Sequence, residues 1–307
     1  MLQSCDIGAG CTAIEDHPGR DRRSQLDIAS RLQRSGLLWK LVKAMYYSRF
    51  TPRQLRHLLG TFHFLNFELG RPYYTSKVAP HHFRWSLGIQ HALAFDYGHL
   101  TSIEAAASVD CNGNPIPWYT YPAIDFLRQL DFSTKTVFEY GSGQSTIFWS
   151  QAAKSVVSVE HDRKWFETVS SKVGPKCQVI FESDPEAYVR SIDSYGNFDI
   201  IAVDGIVRQL SRFHGAKHAL CHLNRGGLII LDNADCLPCS AKLLRGMGLL
   251  EVDMSGPGPA SGQMWTTSMF FHRDFDFPSK TDRRPTPGIG AIDQNWEVDG
   301  SLEDNTT

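Results

Sequence analysis

The sequence contains no apolar run of the about 18 residues that a membrane-spanning helix requires, so no segment reads as transmembrane. Its first 23 residues carry Asp6, Glu15, Asp16 and Asp21 and lack an apolar stretch of signal-peptide length. Cysteine is sparse and odd in number, 7 in 307 residues, which excludes a disulfide-stapled scaffold and fits a reducing compartment. Together these absences predict a cytoplasmic protein. A surplus of positive charge is also missing. Lys and Arg number 31 against 33 Asp and Glu, net −2, which argues against a dedicated nucleic-acid binder. Apolar residues are plentiful: AVILMFWYC make up 42%, an ordinary globular content that excludes global disorder.

The near-neutral total conceals a segregation. Between Arg20 and Leu59, ten Lys and Arg face Asp21 and Asp27, whereas residues 291–307 carry Asp293, Glu297, Asp299, Glu303 and Asp304 and no base. Leu37, Leu38, Leu41, Val42 and Met45 recur at helical spacing among the basic residues. Thr51-Pro52 reads as an N-cap with Pro at the first helical position, opening a second helix through Leu55, Leu58 and Leu59. Basic helices over 20–59 suit a peripheral contact with an anionic membrane surface, RNA or a partner protein, and equally an accessory layer packed on the main domain. The expected organisation is a loose segment 1–24, a helical N-terminal extension 25–116, a catalytic domain 117–273 and a loose acidic tail 274–307. The tail is expected because Pro278, Pro285, Pro287, Gly288 and Gly290 stand among few apolar residues.

From Lys135 strands and helices alternate. Short apolar strands are expected at Thr136 to Tyr140, Ser155 to Val159, Cys177 to Phe181, Phe198 to Val203 and Leu228 to Leu231. Helices are expected at Ser145 to Lys154, around Trp165 and Val169, at Pro185 to Ile192, up to about Leu223, and at Lys242 to Leu249. Two more strands, Leu250 to Met254 and Thr266 to Phe271, flank a loop, Gly256-Pro257-Gly258-Pro259-Ala260-Ser261-Gly262. Continuous apolar strands separated by helices predict an α/β, doubly wound, mostly parallel sheet.

In such sheets ligands bind beyond the carboxyl ends of the strands. The residues expected there are Glu139, Gly141, Gly143, Glu160, Ser183, Asp184, Asp204, Asp232 and Asn233. Gly141 and Gly143 permit a tight turn and close approach of a ligand. The third glycine of the dinucleotide fingerprint is absent, since Thr146 takes its place, and Glu139 would repel a pyrophosphate. Glu160 follows Gly143 at about the spacing where a second-strand acid takes ribose hydroxyls. A cationic nucleoside without phosphate is S-adenosylmethionine.

With Glu139-Tyr140-Gly141-Ser142-Gly143 and Glu160 in place, the chain resembles the class I S-adenosylmethionine-dependent methyltransferases over roughly Tyr119 to Phe271. The resemblance implies a Rossmann-like methyltransferase fold, with Glu139, Gly141, Gly143 and Ser145 along the methionine part of the cofactor. It implies Glu160 on the ribose and Ser183-Asp184 at the adenine, with Glu182 an equally placed candidate. Asp204, Asp232 and Asn233 are similar to the magnesium site of catechol-type and caffeoyl-type O-methyltransferases, which implies Mg2+ and catalytic roles for Asp204 and Asp232. Where the catechol-type enzymes place a base lysine stands Val207, followed by Arg208, which stays protonated and would clamp an acidic substrate or pair with Asp204 or Asp232. The two aspartates thus hold a metal, act by hydrogen bonds alone, or pair structurally with Arg208. The whole motif string, including Asp-Gly-x-x-Arg and the late Gly-Pro-Gly-Pro, is similar to a bacterial methyltransferase-like group of unsettled substrate.

The expected reaction is O-methylation of a small-molecule or glycan-like acceptor. The competing readings are a non-catalytic nucleoside-binding or scaffold protein and an aminopropyltransferase-like enzyme. Cys236 and Cys239 are spaced as half a zinc site or a redox pair but lack a second pair. His214, His218 and His222 share one helical face, and Trp118, Tyr119 and Tyr121 either close over a ligand or pack on the sheet.

Overall fold

The structure, a computed structural model, describes residues 88–205, 209–282 and 284–291, all within one compact unit, Ala79–Thr307. The loose segment 1–24, the basic helices of 20–59, Arg208 and the acidic residues beyond 291 lie outside the described residues.

Seven strands form one sheet: β1 Thr136–Tyr140, β2 Ser155–Glu160, β3 Cys177–Phe181, β4 Phe198–Val203, β5 Leu223–Leu231, β6 Leu250–Pro257 and β7 Met264–Phe271. Their order is β3-β2-β1-β4-β5-β7-β6, and β7 runs antiparallel to both of its neighbours. The helices that flank the sheet are α1 His99–Ala105, α2 Tyr121–Leu127, α3 Gln144–Ala152, α4 Arg163–Ser170, α5 Pro185–Arg190, α6 Gln209–His222 and α7 Pro238–Gly246.

The central strands alternate their apolar residues between two cores. Val137, Ile200, Leu228 and Ile230 pack with Leu127 and Trp149 on one face. Phe138, Tyr140, Ile201, Val203, Ile229 and Leu231 pack with Tyr188, Ala216 and Leu244 on the other. Burial on both faces explains why these strands read as continuous apolar runs. β5 reaches back to Leu223, which pairs with Phe198 across a register shift, so it begins well before the expected Leu228. α7 starts at Pro238, not Lys242, because Pro suits the first turn of a helix, where the missing N–H is not needed.

The boundaries read from composition differ from what the structure shows. Before Pro117, Tyr97 stacks on Tyr121 with ring centroids 4.5 Å apart and donates its hydroxyl to Asp125 at 2.6 Å. After Arg273 the chain is not loose as far as residue 291. Phe277 is buried against Phe132, Asp131 N–H donates to the Pro278 carbonyl at 2.8 Å, and Thr286 N–H donates to Gln129 Oε1 at 3.0 Å. Proline and glycine content suggested a tail, but Phe275 and Phe277 supply enough apolar surface to fold it back. Among the described residues no helix is long and apolar enough to cross a membrane.

Candidate functional site

The turn after β1 crosses the carboxyl end of the sheet. Gly141 has φ +90, and a Cβ there would lie 2.5 Å from Gly205 Cα at the end of β4, so only glycine lets the two strand ends meet. Gly143 is extended, and a Cβ on it would meet nothing nearer than Ser145 Oγ at 3.8 Å, so this side of the turn is open. Gly143 N–H donates to Thr146 Oγ1 at 2.8 Å, and that hydroxyl donates to Glu139 Oε2. The threonine in the third-glycine place is therefore a clamp between the turn and the β1 acid.

Glu139 lies fully buried beneath the turn, with Oε2 also accepting from Ser158 at 3.0 Å. Its Oε1 has no partner among the described residues. Burial pushes this carboxyl up to about 7, against the hydroxyls of Ser145, Thr146 and Ser158, which favour its charged form. Glu160, at the end of β2, is buried too. It accepts from Ser142 N–H at 2.8 Å through Oε2, and from the His161 and Asp162 N–H groups through Oε1, with the His161 ring 2.9 Å away. Trp165 closes the outside of the turn, donating from Nε1 to the Ser142 carbonyl.

The acids at the ends of β4 and β5 meet an arginine that the sequence reading missed. Arg212, on α6 and buried, donates from Nε to the Gly205 carbonyl at 2.9 Å and from Nη2 to Asp204 Oδ1 at 3.0 Å. Its Nη1 donates to the Asp232 carbonyl at 2.7 Å and to Asn233 Oδ1 at 3.0 Å. Asp232 Oδ1 accepts from Trp265 Nε1 at 2.9 Å and from the Thr267 hydroxyl. Burial, then the charge of Asp204, push Asp232 up to about 7, and burial also raises Asp204 against the pull of Arg212. Asp204 Oδ1, Asp232 Oδ1 and Asn233 Oδ1, expected on Mg2+, thus already accept N–H and O–H donors, and the Arg212 guanidinium stands among them, an arrangement that does not support a divalent ion. Among the described residues no group of three or more His, Cys, Asp or Glu is placed to hold a metal.

Other expected site residues lie further out. Asp184 is the N-cap of α5, accepting from Glu186 N–H at 3.1 Å and Ala187 N–H at 2.8 Å, and Glu182 accepts from Asp184 N–H. Ser183 is exposed between them. A groove of about 620 Å3 opens beside them, lined by Glu182, Asp184, Arg190, Asp193 and Tyr195. His218 and His222 face Asp193 at 2.9 and 3.3 Å, and Cys236 and Cys239 are exposed free thiols. Trp118 is exposed, while Tyr119 and Tyr121 are buried under the β6–β7 hairpin and α1. Tyr188 was also missed. Its buried hydroxyl has no partner among the described residues and lies 2.0 Å from where a Gly205 Cβ would stand. The legible signals were a charged or polar residue at an inward position: Thr267 on β7, and Arg212 on a helix face with Ala216 and Ala219.

Neither a protein-family model nor a curated protein matches the sequence. Solved structures do resemble it. The O-methyltransferase of Bacillus cereus in complex with S-adenosylhomocysteine is 16% identical, covering 58% of this chain and 90% of that one, with a TM-score of 0.44. An O-methyltransferase of Streptomyces achromogenes involved in tomaymycin synthesis, in complex with S-adenosylmethionine, is 14% identical over 59% of this chain and 89% of that one, TM-score 0.42. An N-methyltransferase of Bradyrhizobium japonicum is 12% identical over 45% and 78%, TM-score 0.37. These likenesses concern the path of the backbone alone. The sheet order and its reversed seventh strand define a doubly wound, mostly parallel, Rossmann-like α/β fold.

Proposed function

We propose that this chain is an S-adenosylmethionine-dependent methyltransferase acting on an oxygen of a small-molecule or glycan-like acceptor. The observation that carries the reading is the pair of buried acids, Glu139 and Glu160, at adjacent strand ends around an open glycine turn. Such a site repels phosphate and suits a cationic nucleoside. Glu139 Oε1 and the Tyr188 hydroxyl, both buried and without partners among the described residues, are groups a ligand would satisfy. Gly141, Gly143 and Ser145 would lie along the methionine part and Glu160 on the ribose, with Ser183 and Asp184 toward the base.

When bound, the cofactor would supply an electrophilic methyl on a sulfonium; as an acceptor oxygen attacks that carbon in line, the C–S bond would break and the neutral thioether would leave. The chain's own part is to orient and to take a proton. Asp232, held by Trp265 and Thr267, accepts the acceptor's hydroxyl proton as the new C–O bond forms. Asp204, fixed by Arg212, orients the acceptor. The guanidinium beside Asp204 opposes entry of a polyamine, which disfavours aminopropyl transfer.

Calorimetry with S-adenosylmethionine tests the reading. Binding at one site is expected, weakened about 10- to 100-fold in Glu160→Ala by loss of a charged hydrogen-bonding group. The reading is overturned by no binding at high micromolar cofactor, or by binding that Glu160→Ala leaves unchanged.

A further inference from the structure

Where a divalent cation would have to sit, the chain has placed one of its own. Arg212 donates to two of the three side chains that a metal would need, at Asp204 Oδ1 and Asn233 Oδ1, each at 3.0 Å. The third candidate, Asp232, gives Oδ1 to β7 and its backbone carbonyl to the same guanidinium. A hard cation requires bare oxygens converging at about 2.0–2.6 Å. Here the convergence point of the β4 and β5 ends is filled by a planar group whose fork matches three acceptors at once. Arg212 is 7% exposed and is anchored at Nε by the Gly205 carbonyl, so it cannot swing out without leaving Asp204 and the 232–233 turn unpaired.

We propose that Arg212 is the built-in cation of this site, holding Asp204, Asn233 and the Asp232 backbone where a metal would otherwise hold them and excluding divalent ions. Arg212 is then a positioning residue: it acts through the two aspartates, and the acceptor's proton leaves to a carboxylate with no metal to weaken the O–H bond. The proposal rests on the reading of these strand ends as the acceptor side of the site. It does not depend on which methyl donor binds, so the two fail separately.

The test is titration of the full chain with Mn2+, followed by water-proton relaxation, with Mg2+ calorimetry alongside. The wild-type protein is expected to show no stoichiometric binding up to millimolar ion. Arg212→Gln, which removes the cation and keeps all three candidate ligand side chains, is expected to bind one Mn2+ per chain about tenfold or more tighter than wild type. Adding Asp204→Asn to that variant should abolish the gain, and Arg212→Lys, which keeps a charge, should not acquire it. One Mn2+ bound by the wild type and lost in Asp232→Asn overturns the proposal. So does a folded Arg212→Gln, verified by circular dichroism and thermal melting, that binds no ion. If Arg212→Gln does not fold, the wild-type and Arg212→Lys titrations decide: binding by either rejects the proposal, and its absence from both supports it. Loss of S-adenosylmethionine binding with these metal results intact would strike the methyl-donor reading alone.

Discussion

Glu139 shows how one buried side chain ties the glycine turn to the pH response of the protein. Its carboxyl ordinarily titrates at 4.5 and in the fold at about 7, chiefly because burial disfavours the charged form. Between those values the folded state binds more protons than the unfolded state, so this contribution to stability is complete below about pH 4.5 and is lost as pH rises through 7. The loss is on the order of 3 kcal/mol. Glu139→Gln, which mimics the protonated carboxyl, is expected to flatten the decline of the melting temperature between pH 5 and 8. Asp232, raised likewise, would leave a residual slope. A decline as steep in the variant as in the wild type would refute this role. A cationic ligand beside Glu139 would favour its charged form, so under the proposed reading S-adenosylmethionine affinity should rise over the same pH range.

At the scale of elements, β7 matters more to the site than its place near the sheet edge suggests. Its antiparallel course sets Trp265 and Thr267 on the face that meets the end of β5, and both donate to Asp232 Oδ1. Both bonds favour the charged aspartate. Removing one in Thr267→Val should therefore raise Asp232 further, by about one pH unit if the bond contributes a typical charged value. Thr267 also accepts from Thr120 N–H at 3.0 Å, so some loss of stability accompanies the change. The acidic limb of the pH–rate profile should move upward in Thr267→Val and return in Thr267→Ser. An unmoved limb would show that Asp232 is not the group that takes the proton.

Across the whole molecule, the unit that carries the site extends beyond the sheet on the carboxyl-terminal side. Phe277 and the Asp131–Pro278 and Lys280–Gln129 backbone bonds anchor the segment after Arg273 to the loop that precedes β1. A chain ending at Arg273 would expose Phe132 and Leu130 and forfeit about 3–5 kcal/mol from Phe277 alone. Its melting temperature should fall on the order of 10 °C. An unchanged melting temperature would show that this segment contributes nothing to the fold.

The strands were legible because central parallel strands are buried on both faces, so Thr136 to Tyr140 and Phe198 to Val203 announce themselves as apolar runs. Glu139, Glu160, Asp204 and Asp232 were legible as strand-end acids for the same reason, since each stands at or next to the end of such a run. Their partners were not. Arg212 lies on a helix, and Trp265 and Thr267 on a strand that enters the sheet last and in reverse. Local periodicity says which face a residue occupies and nothing about which distant element meets that face. The sequence by itself therefore determined the fold class and the acids placed at the strand ends. Only the tertiary structure decided that the cation among those acids is an arginine, because three acceptors from two strand ends converge on one guanidinium only once β4, β5 and α6 have packed together.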